Sequence, residues 1–165
     1  MKPYLVLLLM VAWVSNASNA APVFPEGASS GEQGMTLVPP SGRQLNKQVV
    51  LDFYEKGLNQ KDADAALKYL SSSYIQHNPT AADGPEGFRK FITFLKEKYP
   101  KSHSEIKQIF ADGDYVILHV HTVREPDTRG NAIIDIFRLD QGKIAEHWDV
   151  TQAIPEQTIS GNAMF

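Results

Sequence analysis

Between residues 44 and 99 apolar side chains return every three or four positions, and after residue 102 they alternate with polar ones. The first spacing belongs to one face of a helix, the second to a half-buried strand. A leading helix is predicted over residues 44–59, where Leu45, Val49 and Phe53 recur four apart and Val50, Tyr54 and Leu58 widen the stripe. Ser41 with Gln44 fits a capping box. A shorter helix is predicted from Asp62, a fitting N-cap, and carries Ala66, Leu67 and Leu70. A third begins after Asp83-Gly84, with Pro85 suited to a first turn. It presents Phe88, Phe91, Ile92 and Leu95 and stops at Pro100.

From residue 102 the prediction changes to strands. Residues 103–111 lead into Asp112-Gly113, a two-residue hairpin signal. Residues 115–124 are rich in β-branched side chains, and residues 125–130 form a loop. Residues 131–139 and 143–152 make a second hairpin around Asp140-Gln141-Gly142. Helices followed by an antiparallel meander define an α+β class, with N-terminal helices packed into a curved antiparallel sheet.

Alternation sorts the polar residues by face. His119 and His121 share one face of their strand. His147, Asp149 and Thr151 share another, with Trp148 and Val150 opposite, and Asp135, Phe137 and Leu139 go together. A three-residue turn at Asp140-Gln141-Gly142, with Gly142 left-handed, pairs Leu139 with Lys143, Asp135 with His147 and Ile133 with Asp149. Asp135, His147 and Asp149 then cluster on one side. A two-residue turn would set Asp135 opposite Trp148 and break that cluster. Asp135 is a lone carboxylate in the apolar run Ile133-Ile134-Asp135-Ile136-Phe137. A buried carboxylate needs a partner. A neighbouring imidazole supplies one, either as a structural pair or as acid–base machinery.

The N-terminal segment has a different character. Lys2 precedes the apolar run Leu5-Val6-Leu7-Leu8-Leu9-Met10-Val11-Ala12-Trp13-Val14, and small residues stand at Ser18 and Ala20. The run is short for a bilayer span. The whole reads as an export signal over residues 1–20, cut after Ala20. The expected location is periplasmic or secreted, with no stable membrane insertion after processing. Residues 21–43, rich in Pro, Gly and Ser, read as a flexible linker. Residues 44–165 remain as one domain, large enough to build a core without staples. The chain has no cysteine, which removes disulfides, thiol nucleophiles and thiolate metal sites. A formal net charge of −3 argues against a nucleic-acid or anionic-membrane binder.

An ordered set of short pieces carries a family resemblance: Tyr74-Ile75-Gln76-His77-Asn78-Pro79, Asp83-Gly84-Pro85-Glu86-Gly87-Phe88, Ala111-Asp112-Gly113-Asp114-Tyr115-Val116, Asp135-Ile136-Phe137-Arg138-Leu139, Gly142-Lys143-Ile144-Ala145-Glu146-His147-Trp148-Asp149-Val150 and Asn162-Ala163-Met164-Phe165. Together they resemble the SnoaL-like proteins of the nuclear transport factor 2-like superfamily, in particular a bacterial and fungal branch of predicted aldol-condensation enzymes. The likeness runs from about Leu45 to Phe165. It implies a cone-shaped α+β barrel with a pocket between helices and sheet, often a homodimer through the outer face of the sheet. Relatives with this fold include polyketide cyclases, ketosteroid isomerase, limonene epoxide hydrolase, scytalone dehydratase and many non-catalytic proteins, so fold alone does not fix function. In the cyclases a pocket Asp acts as acid and base without a metal, and Asp149 of His147-Trp148-Asp149 is the matching residue. The leader and linker have no counterpart in the cytosolic cyclases.

Three readings of the chemistry stand side by side. The first is acid–base catalysis, without metal or cofactor, on a small and largely apolar carbonyl compound, of lyase, isomerase or aldol-type cyclase kind. It needs a base, a donor for the enolate oxygen and a dry pocket. Asp149 or Asp135 is the base, His147, His121 or His77 the donor or relay, and Tyr74, Phe91, Phe137 and Trp148 the candidate walls, with an outward-pointing Trp148 as the alternative. The second is a binding or sensor protein holding an apolar ligand in the same pocket. The third is a metal site from His119-x-His121 with His147 and Asp149, which cannot close unless those strands are adjacent. Arg124 and Arg129 flank the 125–130 loop and read chiefly as surface residues. The sequence contains no phosphate-binding glycine loop, nucleophile elbow or metalloprotease helix motif.

Overall fold

The structure, a computed structural model, describes residues 42–165. The export signal expected over residues 1–20, most of the linker expected over 21–43 and the Ser41 half of the capping box lie outside the described residues. Among the described residues no helix is long and apolar enough to cross a membrane.

Helix α1 (Gly42–Tyr54) continues into a π-helical turn (Glu55–Asn59), and the two cover the single helix expected there. Val50, Phe53 and Tyr54 are buried, whereas Leu45 is 54% exposed, so the buried stripe begins later than the spacing implies. Gly57 in the π turn is a packing requirement: a Cβ there would stand 2.9 Å from the Phe88 ring, which itself lies 4.8 Å from the Phe53 ring. Helix α2 (Ala63–Leu67) is capped by Asp62, whose carboxylate accepts from the Ala65 N–H at 2.9 Å. Helix α3 (Gly84–Lys98) has Pro85 in its first turn and buries Gly87, Phe88, Ile92 and Leu95.

The sheet has five strands in the order β1-β5-β4-β3-β2. Four are the expected ones: β2 (His103–Asp112), β3 (Tyr115–Val123), β4 (Asn131–Asp140) and β5 (Lys143–Ala153). The fifth, β1 (Leu70–Gln76), was not expected, and Leu70 opens it rather than closing α2. It pairs with β5 in parallel, while the other pairs are antiparallel, so the sheet is mixed where an antiparallel one was predicted. The core lies between one sheet face and the helices. Val116, Leu118 and Val120 of β3, Phe137 and Leu139 of β4 and Ile144 of β5 pack with Val50, Phe53, Phe88, Ile92 and Leu95. Each large side chain fully buried this way contributes about 1.5–3 kcal/mol.

Both hairpin turns differ in detail from expectation. Asp112 pairs with Tyr115, so the first turn is Gly113-Asp114, one residue later than predicted. Asp140 pairs with Lys143, so the second is the two-residue turn Gln141-Gly142 rather than a three-residue one. Its two residues have φ of 48° and 74°, as a type I′ turn requires. That turn by itself would set Asp135 opposite Trp148. A bulge prevents it: Leu139 pairs with Ile144 but Arg138 pairs with Glu146, leaving Ala145 as an extra residue on β5. The bulge flips the alternation back, so Asp135 faces Asp149 and Phe137 faces His147.

Candidate acid–base cavity

Helices and inner sheet face enclose a cavity of about 650 Å³. Phe53, Leu58, Phe88, Phe91 and Phe137 supply apolar walls, and Tyr54, Tyr74, Gln76, Asn78, Asp135, His147 and Asp149 supply polar groups. These polar groups form two chains of hydrogen bonds.

In the first, Asp135 is buried and uses both carboxylate oxygens. Oδ2 accepts from the Tyr54 hydroxyl at 2.9 Å and Oδ1 meets His147 Nε2 at 2.9 Å. His147 Nδ1 meets Gln76 Oε1 at 3.0 Å. The Gln76 amide cannot be turned over, because the same Oε1 accepts from the Asn78 backbone N–H at 2.9 Å. His147 Nδ1 is therefore the donor to Gln76. A bond between His147 Nε2 and Asp135 Oδ1 then needs one further proton between them. Gln76 Nε2 donates to the Tyr74 hydroxyl oxygen at 2.8 Å. The Tyr74 proton thus stays available, since no acceptor for it is found among the described residues.

In the second chain, Asn78 Nδ2 donates to both oxygens of the half-buried Asp149, at 2.6 and 2.8 Å. The Asn78 amide is fixed in turn by Thr80, whose backbone N–H donates to Asn78 Oδ1 at 2.7 Å. Burial, and then the charges of Asp135 and Asp149, push both phenols well above their ordinary value. Tyr54 and Tyr74 therefore stay protonated donors. No buried side-chain nitrogen or oxygen among the described residues lacks a hydrogen-bond partner.

Residues 50–147 match the family model described as a SnoaL-like domain. The chain belongs to that family. Among solved structures, a candidate polyketide cyclase from Bacillus cereus ATCC 10987 is similar at 20% identity with a TM-score of 0.58, over 66% of this chain and 74% of that one. A candidate SnoaL-like polyketide cyclase from Jannaschia sp. CCS1 is similar at 18% identity with a TM-score of 0.57, over 70% and 91%. A nuclear transport factor 2-like protein of unknown function from Cytophaga hutchinsonii ATCC 33406 is similar at 19% identity with a TM-score of 0.53, over 65% and 89%. At these identities the likeness establishes the cone-like α+β fold. No curated protein matches the chain.

Within this SnoaL-like domain the expected site residues divide by sheet face. Asp135, His147, Asp149, Tyr74, Phe91 and Phe137 line the cavity. His77, His121 and Trp148 do not, a correction to the expected lining. Trp148 alternates with His147 and Asp149 onto the outer face, where the His77 ring stacks on it at 4.4 Å. His77 Nε2 also meets Glu146 at 2.9 Å, and with Arg138 it holds the Glu146 carboxyl below its ordinary range. His121 Nε2 bonds the Arg129 carbonyl oxygen at 2.8 Å, and the rings of His119 and His121 pack on Phe165.

The metal set His119, His121, His147 and Asp149 therefore cannot close, because the sheet separates its two halves. Asp135, His147 and Asp149 do present one ligand atom each within 4.8 Å of one another. In the structure Asp135 Oδ1 and His147 Nε2 are bonded to each other instead. Tyr54, Gln76 and Asn78 are the site residues that spacing did not reveal. Tyr54 read as core stripe, and Gln76 and Asn78 stood only within a family motif. The available signal was a hydroxyl-bearing residue inside the buried face of a helix.

Proposed function

We propose that this domain acts on a small, largely apolar carbonyl compound by acid–base chemistry, in a lyase, isomerase or aldol-type reaction. The supporting observation is the convergence of Asp149, the Tyr54–Asp135–His147 chain and the Tyr74 hydroxyl on one cavity. In this reading the Asp149 carboxylate takes a proton from the carbon beside the carbonyl. The C–H electron pair moves to the carbonyl oxygen as an enolate. Tyr74 donates its hydroxyl hydrogen bond to that oxygen, and the proton held between Asp135 and His147 supports the same charge. Apolar walls keep water out and strengthen both contacts. Asp149 then returns its proton to a different carbon or to a leaving oxygen, so the enzyme ends as it began.

The test is turnover of a panel of aldol and dehydration substrates by wild type and Asp149→Asn. The expected result is a loss of about 100-fold or more in turnover, with ligand affinity retained. If wild type binds such compounds saturably but turns none over, the cavity is a ligand-binding or sensing site, and the catalytic reading fails for those reactions.

We also read the domain as exported and homodimeric. Export is supported by the leader pattern of residues 1–20, and is checked by finding Ala21 at the N-terminus of protein recovered outside the cytoplasm. Pairing is supported by Phe110, Tyr115, Ile134 and Val150, which stay 41–73% exposed on the outer sheet face. Sedimentation at the mass of one domain would reject it.

A further inference from the structure

The inner face of the sheet grades from apolar to cationic. Along β3 the inward positions run Val116, Leu118, Val120, then Thr122, and Arg124 follows just past the strand end. Thr122 pairs across to Asn131 and shares a hydroxyl contact of 2.9 Å with Ser104, and all three line the cavity. From the helix side the exposed Lys90 of α3 joins the same lining, next to Phe91, whose ring lies 5.9 Å from the Arg124 guanidinium.

Neither cation is neutralised. Among the described residues the ion-paired cations are Arg89, Lys107, Arg129 and Arg138 with two histidines, so Lys90 and Arg124 have no carboxylate partner. The only carboxylates in the lining are Asp135 and Asp149, both already held by Tyr54, His147 and Asn78. A chain of net charge −3 thus lines one cavity with two exposed, unpaired cations and no exposed acid.

We infer that the cavity selects ligands with an anionic headgroup, a carboxylate or its sulfate or sulfonate equivalent, on an apolar or aromatic body. The body lies between Phe91 and Phe137 and the headgroup meets Lys90 and Arg124 at the rim. This rests on the reading of the cavity as a small-molecule site and specifies the ligand class. Charge-assisted bonds to an ammonium and a guanidinium are the stronger kind, and exposed ones weaken with salt.

Two fluorescent probes with one body separate the possibilities: anilinonaphthalene sulfonate, which is anionic, and phenyl naphthylamine, which is neutral. Wild type is expected to bind the sulfonate about tenfold more tightly, with the preference shrinking as salt is added. In the double variant Lys90→Gln with Arg124→Gln the preference disappears and affinity for the neutral probe is unchanged. The control Lys96→Gln with Lys101→Gln removes the same charge away from the cavity and keeps the preference. Equal binding of both probes by wild type, or a preference that survives in the rim variant, overturns the inference and leaves the cavity reading standing. Binding of neither probe overturns the cavity reading itself, and this inference with it.

Discussion

Asp135 and His147 meet on a diagonal: their side chains bond at 2.9 Å, yet the cross-strand neighbour of Asp135 is Asp149 and that of His147 is Phe137. Diagonal neighbours in an antiparallel pair are within reach only of long side chains. The imidazole spans the gap and brings Gln76 with it from β1. The diagonal also leaves the carboxylate of Asp149 free to be held by Asn78 instead. One acid is thereby tied to an imidazole and a phenol, the other to a single amide, although both stand on the same sheet face.

Tyr54 is the part of this arrangement most open to a stability test. Tyr54→Phe removes the hydroxyl that donates to Asp135 Oδ2 and changes little else in a buried position. The carboxylate then keeps only its imidazole partner. Leaving a buried polar atom short of a hydrogen bond costs about 1–3 kcal/mol. The urea midpoint should fall accordingly with its slope unchanged. An unaltered midpoint would show that water or a rearranged side chain takes the place of the phenol.

The bulge at Ala145 decides which residues enter the cavity. Without it the type I′ turn at Gln141-Gly142 would carry Trp148 inward and His147 outward. Deleting Ala145 alone joins Ile144 to Glu146, keeps every pair beyond the bulge and should preserve the sharp thermal transition and the near-ultraviolet circular dichroism of the folded protein. Deleting Ala145 and Glu146 together pairs Arg138 with His147 and Phe137 with Trp148, turns Trp148 inward and should abolish both signals. A double-deletion variant that still melts cooperatively near the wild-type temperature would mean that β5 tolerates either face.

The same hairpin shows what was legible in the sequence and what was not. Alternation correctly grouped His147 with Asp149 and Asp135 with Phe137, because that depends only on the pleat. It reached the right grouping across strands through the wrong turn, since a three-residue loop and a two-residue loop with a bulge have the same parity. Bulges leave no strong local mark when the extra residue is a buried alanine. Helices α1, α2 and α3 were visible because each carries an apolar stripe, joined by the Asp62 cap in α2 and by Pro85 in the first turn of α3. Strand β1 was invisible for the opposite reason. Its Leu70-Ser71-Ser72-Ser73-Tyr74 buries only the first and last side chains, four apart, and its register against β5 is irregular. Only tertiary pairing makes it a strand, and with it came the unforeseen placement of Gln76 and Asn78. His121 was mislaid because alternation says which residues share a face but not which face looks inward, whereas Trp148 was already set opposite His147 and Asp149 by alternation and entered the expected lining only as an aromatic wall.

Alkaline pH tests the two phenols together. Tyr54 and Tyr74 both have folded values raised above the ordinary phenol value, chiefly by burial. An unfolded chain releases these protons near pH 10, at about the ordinary tyrosine value, while the folded domain keeps them. Above that pH the folded state binds more protons than the unfolded state, so stability falls as pH rises. The stabilisation is fully present below pH of about 10 and is lost progressively toward the folded values. Each retained proton sets a slope of about 1.4 kcal/mol per pH unit. Lys61 acts in the opposite sense, because burial lowers its ammonium value, but only below the ordinary lysine value of about 10.4. Urea unfolding followed above that point should show a slope of about two protons in wild type and about one in Tyr54→Phe. Equal slopes in the two proteins would mean that Tyr54 loses its proton as readily folded as unfolded, and the donor role assigned to it at Asp135 would fall.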